Sequence, residues 1–183
     1  MFDYIRSDLS AITNRASGFR AFRAALCTHT FHMTVLIRFG CWSRSRLGAP
    51  GNVIGAITEY LIRVVYASDI SCKAKIGRYF HVMHGQDIVI GSEVVIGEHC
   101  KVFNSVTFGN KDTEDPSGNA QPKVGDNCVI GTGAKLLGGI SIGDNVRIGA
   151  NAVVLRDVPS NTVAVGVPAR VITHTSTSTT ARA

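Results

Sequence analysis

The apolar positions of this chain recur in sixes. Residues 70, 76 and 82, then 90, 96, 102 and 108, then 124, 130, 136, 142, 148 and 154 are all Ile, Val, Leu or Phe. In a chain that is 45% apolar, such an unbroken series would arise by chance on the order of once in 30,000 trials. A period of six is a multiple of two and does not fit a 3.6-residue helix, so each unit reads as a short strand with alternating faces. The aliphatic residue points inward. A second inward position, four residues on, holds Ala74, Val94, Cys100, Val106, Cys128, Ala134, Ile140, Val146, Ala152 and Val158. Gly follows many of the aliphatic residues (Gly77, Gly91, Gly97, Gly109, Gly125, Gly131, Gly143, Gly149), which suits corners with backbone angles that other residues resist. Three strands and three corners make one triangular coil of about 18 residues. Residues 70 to about 165 therefore predict a mainly β fold, a parallel β-helix of about five coils.

Ahead of the repeat the period changes. Residues 3–16 and 20–46 have helical spacing, with Leu9, Ile12, Phe22, Leu26, Phe31, Val35, Ile37, Phe39 and Trp42 as core candidates. The Gly48-Ala49-Pro50-Gly51 cluster is expected to break the chain, after which Asn52 caps a helix to about Ala67. The expected organisation is a short α-helical N-terminal module over 1–68, a β-helix over 69–172 with a protruding polar loop over 109–123, and a low-complexity, disordered tail over 173–183.

Charge is unevenly placed. The net charge is +6, and residues 1–68 hold eight Arg against three acidic residues. That excess faces solvent, or else an anionic surface or phosphate-bearing ligand. No nucleic-acid partner is expected. The five Cys lack CxxC spacing, and Cys100 and Cys128 fall on inward positions, so they read as reduced core thiols of a cytoplasmic protein. The apolar stretch 52–66 is short and interrupted by Glu59 and Arg63. It is no membrane span, although peripheral contact at the inner face of a membrane is compatible with it.

Interruptions of a solenoid are where chemistry tends to sit. The first is a two-residue slip between Val82 and Ile90; the second is the loop after Gly109. His84 lies in the slip and is followed by Gly85, which permits close approach of a ligand. A neutral imidazole suits removal of a hydroxyl proton. It needs a carboxylate to fix its tautomer, and Asp69 is the best candidate, with Asp87 the local competitor.

The run from Asp69 to Arg78, His84, Ile88-Val89-Ile90-Gly91, Ser105 to Gly109, Pro122-Lys123, Val129 to Lys135, Ile148 to Leu155 and Gly166 to Arg170 together resemble the bacterial serine O-acetyltransferases over residues 69–172. The resemblance implies a left-handed coil, acetyl-CoA as donor without a metal, and a catalytic pair of Asp69 and His84, whose spacing of fifteen matches the family's. It also implies cofactor contacts at Gly109, Asn110, Thr132 and Ala150, with Lys123, Arg147 and Arg170 toward the CoA phosphates. Its groove between neighbouring β-helices implies a homotrimer, and leaves open whether the N-terminal helices join trimers into a larger assembly. The chain departs from the family at the acceptor pocket. Met83 stands where an Asp precedes the catalytic His, and Ala120-Gln121 replaces Arg-His. Without those counter-charges, Met83 and Gln121 are expected to line a neutral pocket for a sugar or polysaccharide precursor. That makes the exopolysaccharide and capsule O-acetyltransferases the nearest resemblance. The alternatives are serine as acceptor or a non-catalytic scaffold. A zinc site of His81, His84 and His99, as in γ-type carbonic anhydrases, has the wrong spacing.

Overall fold

The computed structural model describes residues 1–13, 18–111 and 120–173. Four helices come first: α1 (Phe2–Ile12), α2 (Phe19–Cys27), α3 (His29–Arg46) and α4 (Gly48–Tyr66). The described residues then form strands that stack coil upon coil. The first coil is β1 (Asp69–Ile70), β2 (Lys75–Ile76) and β3 (His81–Val82); the second is β4 (Val89–Ile90), β5 (Val95–Ile96) and β6 (Lys101–Val102). The third is β7 (Thr107–Gly109), β8 (Lys123–Val124) and β9 (Val129–Ile130); the fourth is β10 (Lys135–Leu137), β11 (Ser141–Ile142) and β12 (Arg147–Ile148). A fifth coil has β13 (Val153–Val154) and β14 (Thr162–Val165), with only an Ile142–Val158 bridge on its middle face. The chain closes on β15 (Arg170–Thr173), antiparallel to β14. The fold is a left-handed parallel β-helix whose three faces are the sheets β1-β4-β7-β10-β13, β2-β5-β8-β11 and β3-β6-β9-β12-β14-β15.

Alternation explains the packing. All the aliphatic repeat residues, and all ten residues at the second inward position, are buried. Phe80 and Ile88 join them, so the prism interior is continuous and apolar. The corner glycines serve a different purpose from the one expected. Among those that follow the repeat aliphatics, none has a positive φ. The left-handed corners fall instead on residues such as Tyr79, His99, Asn127, Asn145 and Asn161, which stack coil on coil. The glycines are needed because consecutive coils touch. A Cβ on Gly77 would stand 2.5 Å from the Gly97 backbone, and one on Gly97 would stand 2.6 Å from the Gly125 carbonyl.

The helices depart further from expectation than the coils do. Helix α1 ends at Ile12, and the 20–46 segment is two helices divided at Thr28. The chain does break between α3 and α4, at Leu47, but the Gly-Ala-Pro-Gly cluster itself forms the first turn of α4, and Asn52 lies inside that helix. Pro50 is tolerated because it occupies the first turn, where amide groups have no intrahelical acceptor. Gly51 lets α4 press against the Ser43 carbonyl of α3. Phe31 and Ile37 are buried as expected, together with Met33, but Phe22 and Leu26 are both 65% exposed and Phe39 also faces outward. Thr173, assigned to the tail, pairs in β15; the rest of that tail and most of the 109–123 loop lie outside the described residues. Among the described residues no helix is long and apolar enough to cross a membrane.

A buried ion pair helps to seat the helices on the first coil. Asp8 and Arg38 meet at 2.8 Å, both nearly inaccessible. Arg38 also donates to the carbonyls of Ile76 (2.6 Å) and Gly77 (2.5 Å), and Asp8 accepts from the Phe80 amide at 2.9 Å. Burial pushes the Asp8 carboxyl above its ordinary value, against the opposing pull of Arg38 and of the backbone amides. The Arg-rich module thus uses one of its cations for docking and does not hold all of them in solvent.

Candidate active site

His84 occupies the corner between β3 and β4 in a left-handed conformation (φ 57°), with its side chain exposed. The slip that carries it is sewn to the start of the β-helix. Gln86 donates to the His84 carbonyl (2.7 Å), Asp87 to the Ala67 carbonyl (3.1 Å) and Asp69 to the Ile88 carbonyl (2.8 Å). The buried Ser68 hydroxyl accepts from the Ile88 amide at 3.1 Å and donates to the Tyr66 carbonyl at 3.1 Å. From behind, α3 supports the slip: a Cβ on Gly85 would meet Met33 Sδ at 2.6 Å. Two extra residues therefore push one imidazole out of a wall that is otherwise regular.

Asp69 opens β1 and points outward. Its Oδ1 accepts from Arg63 at 2.6 Å, with both side chains more than half exposed. Hydrogen bonding to Asp69 raises the Arg63 pKa above its ordinary value. No hydrogen bond joins Asp69 to His84 within the single chain, so the backbone sewing brings the pair to one corner while the carboxylate rests on α4. Asp87 is exposed on the slip itself.

The other expected site residues divide between the borders of the β1-β4-β7-β10-β13 sheet and the faces beyond it. His84, Thr132 and Ala150 share one edge of the prism. Stacked backbone bonds from Ser105 to Gln86, Gly133 to Asn104 and Asn151 to Thr132 define that edge. At about 4.8 Å per coil, Thr132 and Ala150 stand roughly 10 and 14 Å above His84. Gly109 and Asn110 lie at the opposite border, where the Gly138 amide donates to Gly109 at 2.9 Å. Lys123 is exposed on β8, Arg147 on β12 and Arg170 on β15. One chain does not gather these groups around a common point.

Of the acceptor-side residues, Met83 is half-buried in the slip. Gln121 turns inward: its Oε1 accepts from the Glu93 amide at 2.9 Å, and it covers Gly91. Asp126 and Asp144 do the same for the Glu98 and Asp126 amides, so Gln121 is one of a series of corner side chains that tie neighbouring coils. Ala120 lies against Gly139, where an added Cβ would stand 2.5 Å from the Ala120 Cβ. The sequence reading missed Ser68, Arg63 and Lys135. Lys135 donates across the sheet to the Ser105 carbonyl at 2.7 Å and the Thr107 hydroxyl at 3.1 Å. Among the described residues no cluster of three or more His, Cys, Asp or Glu has the makings of a metal site.

The family model described as "Bacterial transferase hexapeptide (six repeats)" matches residues 121–156. A serine acetyltransferase of Synechococcus elongatus is 38% identical over 174 residues, 94% of this chain and 69% of that protein. This chain belongs to the serine acetyltransferase family. It is an acyltransferase of the hexapeptide class. Soybean serine acetyltransferase complexed with serine superposes with a TM-score of 0.82 at 32% identity, over 93% of this chain and 68% of that one. The Brucella abortus serine acetyltransferase in complex with coenzyme A gives 0.80 at 30% identity, over 94% and 67%. The chain thus spans about two thirds of the length of these relatives.

These relatives overturn the sugar-acceptor expectation and, with it, the resemblance to exopolysaccharide enzymes and a place in polysaccharide biosynthesis. The error has a physical source. At Ala120-Gln121 the residues have a structural role that calls for no neutral acceptor: Gln121 holds a coil corner and Ala120 packs on one.

Proposed function

We propose that this chain transfers the acetyl group of acetyl-CoA to the hydroxyl of L-serine, with His84 as general base. The observation that supports it most directly is similarity over nearly the whole chain to serine acetyltransferases, one of them in complex with serine and another with coenzyme A. His84 at the slip is the chemical complement. Its imidazole takes the hydroxyl proton while the oxygen attacks the thioester carbonyl. Collapse of the tetrahedral intermediate breaks the C–S bond, and the imidazolium returns the proton to the departing CoA sulfur. Asp69 orients the ring through the oxygen that Arg63 leaves open, or after that pair separates.

Gly109, Asn110, Thr132 and Ala150 then belong to a cofactor groove, with Lys123, Arg147 and Arg170 available to its phosphates. Their division between two edges of one prism is what a groove shared by neighbouring copies requires, so the active species is a homotrimer. Thiol release from acetyl-CoA with L-serine, a sugar nucleotide and no acceptor tests the reaction. Serine-dependent release is expected, and release no faster with serine than without would overturn the assignment. Sedimentation of the same sample tests the trimer separately.

A further inference from the structure

Away from His84 and Asp69, a cleft of about 790 Å³ opens between the helical module and the first two coils. The outer face of β2 and β5 lines it, with Val95 turned outward and Ile76 and Ile96 contributing from the buried side of their strands, and Trp42 of α3 also lines it. No acidic residue is among those lining it, whereas five basic ones are. Two of the five are committed, Arg38 to Asp8 and Arg44 to Glu59. Arg46, Lys73 and Lys75 are exposed and enter no ion pair among the described residues. The Arg44 Nε is buried without an acceptor. Cations on open convex surface are simply solvated; these instead rim a concavity with an apolar lining, where water competes less well for an anion.

We propose that this cleft binds a small organic anion, with a phosphate, sulfonate or carboxylate head set against Arg46, Lys73 and Lys75 and an apolar body resting on Val95 and Trp42. A cation would meet unopposed like charge. A purely apolar ligand would leave the charged rim unused.

Trp42 is the chain's one tryptophan, so its emission reports on the cleft. The experiment titrates the whole protein with anilinonaphthalene sulfonate and, in parallel, with its uncharged parent phenylnaphthylamine. The expected result is quenching of Trp42 by the sulfonate at concentrations at least about tenfold below those needed for the parent, weakened by added salt. In the double variant Lys73→Glu/Lys75→Glu, whose altered side chains are solvent-exposed, the sulfonate should bind about tenfold or more weakly while the parent is unaffected. Equal binding of the two probes overturns the proposal, because a bare apolar face such as that of α4 gives that result. So does unchanged sulfonate binding in a variant that keeps the wild-type circular dichroism. Neither readout depends on acetyl transfer.

Discussion

The β-helix and the helical module that sits on it are held in place by different means. In the β-helix every repeat position delivers an apolar side chain to one interior, and each coil repeats the instruction of the last, so any single position is specified many times over. The helices have no such redundancy. Their seat on the first coil rests on a few individual contacts, each made once: the buried Asp8–Arg38 pair, the Cys72 amide donating to Glu59 at 2.7 Å, and Met33 against Gly85. Meanwhile Phe22, Leu26 and the α4 residues Val53, Ile57, Tyr60 and Val64 remain exposed. Periodic encoding tolerates error at one site; contacts that are each made once tolerate it less. The catalytic candidate lies where the two schemes meet, its corner made by the repeat and supported from behind by α3.

The largest effect tests that seam. His84→Ala is expected to lower serine acetylation by about 10²–10⁴-fold with circular dichroism and CoA binding unchanged; near-normal turnover would remove the imidazole from the mechanism. Next come two substitutions that set the schemes against each other. Arg38→Met strands a buried carboxylate and two carbonyls, costing about 3–5 kcal/mol, and Phe108→Ala opens a cavity in the prism for about 3–5 kcal/mol. Hydrogen exchange should show the first loosening α1 and α3 and the second loosening the coils. Identical patterns would mean that the two regions open as one unit.

Ser68→Ala should cost about 1–3 kcal/mol, since the buried Ile88 amide loses its acceptor. It should also reduce kcat more than Phe22→Ala, which is expected to stay within about 0.5 kcal/mol of wild type and to leave activity intact. The smallest effect concerns pH. Burial, then the charge of Lys101, lowers the pKa of His81 below its ordinary 6.5, and its Nδ1 is buried without a partner. The unfolded chain therefore binds a proton there that the folded one resists. Stability is fully present above pH 6.5 and declines as pH falls through that value toward the lower folded pKa. Thermal unfolding between about pH 7.5 and 5.5 should show this decline flattened in His81→Gln, and an unaltered slope would assign it to other groups.

What was legible in the sequence follows the same division. The repeat announces itself because thirteen positions carry one message, and a break in that rhythm is as visible as the rhythm, so the slip and His84 could be found. Ser68 was not legible: its role is a bond to Ile88, twenty residues on, that no local pattern encodes. Arg38 was not legible either, because its partners are Asp8 and the carbonyls of Ile76 and Gly77, and a lone Arg on a helix looks like any solvated charge. The corner glycines were located correctly but given the wrong reason, since contact between coils is a property of the stack and not of the chain. The acceptor was misjudged because a missing charge says nothing about where its replacement points.

Stacked parallel coils carry a built-in hazard: both ends of the pile present open backbone edges on which another molecule can add. On one face the first rung's acceptors at Ile76 and Gly77 are occupied by the Arg38 guanidinium, and on one face the last rung is covered by β15 running backwards along β14. A variant deprived of either stopper should therefore be watched for end-to-end growth into fibrils.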